Sequence, residues 1–318
     1  MSEIDERDLK LAVRAAWYYY IEGQTQERIA QSLGISRVKT TRLLATARET
    51  GVVQFRIQSE DTPCLALEQR LKQTFGLMDA VVVPTPIESE NVNRIIGQAT
   101  GDYLSEFFAD DMSIGIGWGR TLTYATRAMS TRPLKQASVV SLLGALTHPR
   151  GLNPMECAWQ FAHKLGADCY VLAAPAFLAS AELRSALLGQ RELSDVMARA
   201  SRVDAAVVSV GELSLTAPIA RYGFLERDQV RELVERGAVG DILCHFIDAE
   251  GNVVDHPINH RVAAFDPARL EQIPNVIMAS GGPQKALPLY ASLRLARPNI
   301  VITDHDTAAQ VLQYAEPS

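Results

Sequence analysis

The sequence has little with which to do covalent or metal chemistry. Its 318 residues include four cysteines, Cys64, Cys157, Cys169 and Cys244, and no two form a C-x-x-C pair. That scatter indicates neither a zinc site nor a disulfide framework, so reduced core thiols are expected. The histidines are no better placed. His256 and His260 are four apart, but Pro257 opposes the helix that would aim both at one ion. The run Asp304-His-Asp306 reads as a helix cap rather than a metal site. A G-x-S-x-G elbow is also missing. Catalytic residues, metal and cofactor are therefore not expected. No apolar run reaches the roughly 20 residues of a membrane span, and residues 1–10 are charged rather than signal-like, so a cytoplasmic protein without a membrane partner is expected. There is no internal repeat and no low-complexity segment.

Positive charge is scarce overall but concentrated. The net charge is -6, yet residues 24–57 carry Arg28, Arg37, Lys39, Arg42, Arg48 and Arg56 against Glu27 and Glu49, a local +4 that leaves -10 elsewhere. Only the local positive charge can displace counterions from phosphates. A small basic head on a larger acidic body is the reading, and about 150 residues per domain also suggests two domains.

Within that basic stretch, Thr25-Gln-Glu-Arg-Ile-Ala-Gln-Ser-Leu-Gly-Ile-Ser-Arg-Val-Lys-Thr-Thr-Arg-Leu-Leu44 reads as two short helices joined at Gly34. Ile29, Ala30, Leu33, Ile35, Thr40 and Leu43 supply an inner face at the spacing two crossed helices need. Gly34 suits a left-handed turn, and Ser36 caps the second helix. Ser36, Arg37, Val38, Lys39, Thr41 and Arg42 then lie at the start of a recognition helix, where side chains reach base edges and phosphates of double-stranded DNA. An ordinary helical hairpin with a solvated basic face is the alternative. Leu9, Val13, Ala16, Trp17 and Tyr20 recur at helical spacing and predict a first helix packed behind the pair. Gly51 stops the recognition helix, and residues 52–57 are β-branched enough for a short strand or wing.

The boundary is placed at Asp61-Thr62-Pro63, after which Leu67, Leu71 and Phe75 share one side of a short helix. From residue 80 onward, short apolar runs alternate with helical stretches, as a parallel sheet covered on both faces requires. The expected strands are 80–83, 113–116, 138–143, 169–172, 205–210, 276–279 and 300–303. The clearest helices are 94–107, 121–129, 155–165, 183–199 and 307–314.

Ligands of such sheets bind where strands end. In Ser113-Ile-Gly-Ile-Gly-Trp-Gly-Arg-Thr-Leu122 a strand ends, glycines let backbone amides approach a ligand, and a helix start near Thr121 favours an anion; a plain tight turn reads equally well. The spacing is G-x-G-x-G rather than G-x-G-x-x-G, and the next strand ends without a ribose-binding acid, so a dinucleotide is disfavoured. Gly281-Gly282-Pro-Gln-Lys285 offers Lys285 to a phosphate or hydroxyl oxygen. Leu143-Gly-Ala-Leu-Thr-His-Pro-Arg150 offers Thr147, His148 and Arg150, or is simply solvated. In Gly237-Ala-Val-Gly-Asp241 the acid is either an acceptor for ligand hydroxyls or a turn aspartate.

Taken end to end, the chain resembles the SorC family of bacterial sugar-responsive transcriptional regulators, grouped with DeoR-like sugar-binding repressors. The resemblance rests on Ser36-Arg-Val-Lys-Thr-Thr-Arg-Leu-Leu44, Gly115-Ile-Gly-Trp-Gly-Arg-Thr-Leu122, Ala173-Ala-Pro-Ala-Phe177, Gly237-Ala-Val-Gly-Asp241, the Gly281-Gly282 to Lys285 loop and Ile302-Thr-Asp304. It implies an α/β protein with a winged helix-turn-helix head, residues 1–58, and a Rossmann-like parallel-sheet effector domain of the sugar-phosphate isomerase type, residues 59–318. It further implies a homo-oligomer, usually a tetramer, without catalysis. The effector, a sugar, polyol or phosphorylated derivative, would lie among Gly117, Trp118, Gly119, Thr121, Gly144, His148, Asp241, Gly282 and Lys285. Many members have Asn-Gly-Gly where this chain has Leu143-Gly-Ala-Leu-Thr-His148, which weakens the expectation of a phosphate there. Ala15-Ala-Trp-Tyr-Tyr-Tyr-Ile-Glu-Gly-Gln-Thr25 is similar to regulators of polyol catabolism, erythritol regulators included. The expected function is a repressor of a carbohydrate or polyol catabolic operon. A sugar-phosphate isomerase or deaminase carrying a DNA-binding head is the alternative.

Overall fold

The computed structural model describes residues 6–53, 62–146, 153–221 and 224–316. The chain divides into two compact units, Met1–Ser59 and Glu60–Ser318. The first holds α1 (Glu6–Ala16), α2 (Gln26–Leu33) and α3 (Arg37–Glu49). Ile29, Ala30, Thr40, Leu43, Leu44 and Ala47 are buried, and Leu33 and Ile35 pack partly buried against them. Gly34 turns the chain between α2 and α3 at φ +65°, a left-handed value that costs a side-chain-bearing residue free energy.

The face of α1 meets the expectation at Ala16, which is buried, and at Tyr20, which packs partly buried beyond the helix, but differs elsewhere. Ala12, Ala15 and Ala16 are buried, whereas Leu9, Val13 and Trp17 are 36%, 47% and 57% exposed. Apolar residues occur on two sides of this helix, and hydrophobic spacing cannot choose between them. The alanine side lets α1 approach the pair closely. The chain then widens into a π-helical turn, Trp17–Ile21, which shifts the tyrosines relative to the α1 face. Of the expected wing, residues 54–57 lie outside the described residues; Val52 and Val53 form a bend in which the Val53 N–H donates to Ala47 O at 2.9 Å.

The second unit begins with α4 (Thr62–Phe75), whose Leu67 and Leu71 are buried with Phe75 packed beside them. Alternation follows through β1 (Asp79–Val83), α5 (Val92–Phe107), β2 (Ser113–Ile116), α6 (Arg120–Ala128), β3 (Ser138–Ser141) and α7 (Pro154–Leu165). Next come β4 (Asp168–Tyr170), α8 (Ala181–Leu188), α9 (Arg191–Ala200) and β5 (Ala205–Val208). An insertion carries β6 (Val210–Glu212), α10 (Pro218–Arg221), α11 (Arg227–Glu235), β7 (Ala238–Ile242) and β8 (His245–Asp248). Then β9 (Asn275–Ala279), α12 (Ala286–Ala296), β10 (Ile300–Asp304) and α13 (His305–Ala315) complete the domain.

The seven-stranded parallel sheet has the order β1-β10-β9-β5-β2-β3-β4. Alternate residues serve opposite faces. Ala206, Val208, Val276, Met278 and Val301 share a core with α4, α12 and α13. Ala205, Val207, Ile277, Ala279, Ile300 and Ile302 share one with α5, α6 and α7. Two segments expected to be continuous are divided. Residues 183–199 break at Gly189 and the extended Gln190, because glycine weakens a helix interior. Residues 205–210 part at Ser209, and β6 leaves the main sheet to join a three-stranded antiparallel sheet, β6-β7-β8.

Two features of this frame fix the loops. Glycines bring α5 and α6 almost backbone to backbone: a Cβ on Gly97 would lie 2.4 Å from Tyr124 Cβ, and one on Gly101 2.5 Å from Ala125 O. Strand order reverses between β2, which leads toward β3 and β4, and β5, which leads toward β9 and β10. A crevice outside the carboxyl ends of these two strands is where an α/β sheet binds ligands.

Candidate functional site

In the first unit, the start of α3 is electrostatically unusual. Its first turn holds Arg37 and Lys39 and no acid, although a helix N-terminus favours anions. Such a turn is suited to an external anion, of which a phosphate group is one kind. The Ser36 hydroxyl accepts from the Lys39 N–H at 3.1 Å, so it is spent on capping. Arg37 is exposed and Val38 is 80% exposed, both facing outward. The other three expected DNA contacts are engaged within the head. Thr41 Oγ1 donates to Gln26 Oε1 at 2.9 Å. Lys39 Nζ and an Arg42 guanidinium nitrogen lie 2.9 and 3.4 Å from the two oxygens of Asp8.

In the second unit, the crevice between β2 and β5 is walled by the loop after β2 and by the β7–β8 hairpin. Gly117 N–H donates to Val207 O at 2.8 Å, and a Cβ on Gly117 would meet Leu243 at 3.3 Å. The hairpin turns through only Leu243 and Cys244, both buried and both left-handed, with φ +50° and +63°. Asparagine and glycine usually occupy that turn. Strained non-glycine backbone of this kind persists where its surroundings over-determine it. Part of the compensation is visible: the Cys244 N–H donates to Asp241 Oδ2 at 3.1 Å.

Asp241 is 5% exposed, and burial pushes its carboxyl up to about 6, against the opposing effects of the Cys244 N–H and the nearby Lys285 charge. Burial lowers the Lys285 ammonium, while Glu212 and Asp241 hold its proton on and Arg120 opposes them. With its amide turned so that the nitrogen faces Glu212, Gln284 donates to Glu212 Oε1 at 3.1 Å. Burial, then the Asp241 charge, raises the Cys244 thiol well above its ordinary value, with the neighbouring Trp118 indole opposing them. Trp118, Asp241 and Lys285, far apart in sequence, therefore meet at one cluster.

Other expected residues serve the backbone around it. Gly119 precedes α6 at φ +133°, with Ser209 3.6 Å from where its Cβ would be. Thr121 is fully buried and donates to Asn93 Oδ1 at 3.1 Å, tying α6 to α5. The Gly282 N–H donates to Asp304 Oδ2 and Thr307 Oγ1, both at 2.8 Å, so that amide is already engaged. Gly144 lies against Ala174 and Pro175, where a Cβ would fall 2.5 Å from Ala174 O. Thr147, His148 and Arg150 lie outside the described residues. Asp304 caps α13 by accepting from the Thr307 N–H at 3.1 Å, as its position after a strand suggests.

Glu212, Gln284, Arg120 and Cys244 were missed by sequence reasoning. Arg120 and Gln284 stand inside the two glycine loops and could have been found there. Glu212 had no signal, because it depends on β6 leaving the main sheet. Two open clefts, of about 510 and 560 Å³, lie elsewhere: by Asp195, Arg199 and Arg202 at the amino ends of β2 and β3, and by Pro84, Ile87 and His305. Neither contains the Asp241 cluster. Carboxylates, a lysine and an indole ring around the switch point are the functional groups that recognise hydroxyl-rich molecules.

A basic helix pair in one unit and a polar crevice at the switch point of a parallel sheet in the other define a ligand-responsive DNA-binding regulator. Residues 59–313 match the family model described as "Putative sugar-binding domain". The chain is 32% identical over 309 residues to the erythritol catabolism regulatory protein EryD of Brucella abortus, covering 96% of this chain and 98% of that protein. It is 32% identical over 311 residues to the transcriptional regulator LsrR of Klebsiella pneumoniae, covering 96% and 94%. The full-length sorbitol operon regulator SorC of Klebsiella pneumoniae superimposes with a TM-score of 0.70 at 27% identity, covering 96% of this chain and 100% of that one. The chain belongs to this family of SorC/DeoR-like sugar-binding transcriptional regulators. It is a sugar-responsive regulator of catabolic operons, not an enzyme.

Proposed function

We propose that the chain represses a carbohydrate or polyol operon and that a polyol, sugar or phosphorylated derivative controls it. Residues 1–58 read a pseudo-palindromic operator. Arg37 and Val38 reach base edges; Ser36, Lys39, Thr41 and Arg42 organise the helix start and the phosphate contacts. Residues 59–318 bind the effector and hold copies together, as a cytoplasmic tetramer. Trp118, Asp241 and Lys285 touch the ligand. Gly117, Gly119, Thr121, Gly144 and Gly282 shape the surrounding backbone, and His148 is a further effector contact. The name of the Brucella relative supports a polyol.

The observation that carries this reading is the buried Asp241 carboxylate beside Lys285 at the switch point. A buried carboxylate is costly unless it is partnered, and ligand hydroxyls are suitable donors. Effector binding biases one arrangement of the heads, and a coupling of about 1 to 3 kcal/mol changes operator affinity roughly 5- to 150-fold. The test is a thermal-shift screen of tetritols, pentitols, hexitols and their phosphates on wild type and Lys285→Ala. A ligand at about 100 times its Kd stabilises wild type by about 2.7 kcal/mol. The Lys285→Ala variant should lose that response and keep its DNA affinity. Unchanged ligand affinity in this variant sinks the site assignment.

A further inference from the structure

The first helix contributes a charge to the DNA-reading face. Asp8, on α1, is 31 residues before Lys39 in sequence, yet its Oδ1 lies 2.9 Å from Lys39 Nζ and its Oδ2 3.4 Å from Arg42. One carboxylate thus spans two cations at i and i+3 on the recognition helix. This resembles what a DNA phosphate would do, since phosphate also presents two anionic oxygens to neighbouring basic side chains. The three side chains are 28%, 35% and 68% exposed for Asp8, Lys39 and Arg42, so the cluster is open to an incoming strand. Arg37, exposed at the helix start, has no ion-pair partner among the described residues.

We propose that Asp8 is a specificity determinant: an internal competitor for DNA phosphate that withholds Lys39 and Arg42 from duplexes of the wrong sequence. The inference rests on α3 being the DNA-contacting helix. Sequence-independent affinity comes from cations that replace counterions on phosphates. A cation already paired with Asp8 brings less of this gain, because its pair must first be broken. Base readout by Arg37 and Val38 is untouched by Asp8. The carboxylate therefore weakens binding most where phosphate contacts alone hold the helix, and least where correct base contacts hold it in the groove with the Asp8 pairs intact. The ratio of operator to non-specific affinity rises as a result. Exposed ion pairs are individually weak, so the withheld affinity is modest and salt-sensitive.

The test compares full-length wild type, Asp8→Asn and Asp8→Glu on two fluorescent duplexes, one of random sequence and one selected by the wild-type protein from a random pool. Binding is followed by anisotropy from about 50 to 200 mM salt. Asp8→Asn should bind the random duplex about 3- to 10-fold more tightly at low salt, as releasing two exposed pairs allows. Its log affinity should fall more steeply with log salt, by about 1 to 2 in slope. Binding to the selected duplex should tighten less, narrowing the ratio between the two. Asp8→Glu, which keeps the charge, should retain the wild-type slope. Lys39→Gln should reduce the slope more in the Asp8→Asn background than in wild type, a coupling that a merely structural Asp8 would not produce.

An Asp8→Asn protein that binds both duplexes more weakly, or with an unchanged salt slope, overturns the proposal. In the first case Asp8 aims the cations rather than withholding them. Failure of wild type to select any duplex is a different result, because it removes the DNA-reading role of α3 itself.

Discussion

Replacing Asp241 with asparagine should make the protein more stable at neutral pH and deaf to its effector. An aspartate has a pKa near 3.9 in an unfolded chain, and burial raises Asp241 to about 6 in the folded one. Between these values the folded state holds a proton that the unfolded state has lost. The stability associated with this group is therefore full below about pH 4 and is lost as pH rises through about 6, a difference of about 3 kcal/mol. Asparagine never ionises, and its amide oxygen can still accept from the Cys244 N–H. Asp241→Asn and wild type should already differ by about 1 kcal/mol near pH 4.5 and diverge further with rising pH. At pH 8 the variant should be favoured by about 3 kcal/mol, a Tm higher by on the order of 5–10 °C. The assay is urea or thermal unfolding of both proteins from pH 4.5 to 8. Ligand hydroxyls that donate to Asp241 favour its ionised form, so effector-induced stabilisation of wild type should grow through the same window and be absent in the variant. Stability given up for function is common at binding sites. A stability difference that does not vary with pH, or a wild type more stable than Asp241→Asn at pH 8, refutes the reasoning.

Two further outcomes follow from the geometry. Arg37→Ala should weaken operator binding by about 1 to 3 kcal/mol and relax base preference at one position of each half-site; unaltered discrimination across operator variants would remove Arg37 as a base reader. Gly101→Ala places a Cβ 2.5 Å from Ala125 O and 2.7 Å from Ala128 Cβ, which forces α5 from α6. It should cost about 1 to 3 kcal/mol, and an unchanged melting temperature would show that the helix pair has slack.

The local half of this protein was legible in its sequence. Gly34 and Ser36 marked the turn and the cap of the helix pair, because left-handed backbone and N-terminal capping are demands that few residues meet. The parallel sheet was legible because strands buried on both faces must be continuously apolar, and β2 was located to the residue. Glycine loops after strands pointed to Trp118 and Lys285 as ligand candidates, and Asp241 was singled out as an acid that follows small residues and precedes an apolar run.

What the sequence could not supply was which distant groups meet. Leu9, Val13 and Trp17 had the spacing of a buried face together with Ala16, but Ala12 and Ala15 joined Ala16 in the core instead, because small side chains permit closer helix contact. Lys39 and Arg42 read as free cations until the fold brought Asp8 to them. Glu212 joined Lys285 only because β6 departs from the main sheet and pairs with β7. Local backbone preferences act over a few residues and can be read directly. Charge pairing and burial depend on distances across the folded chain, and those are decided only when all the elements pack.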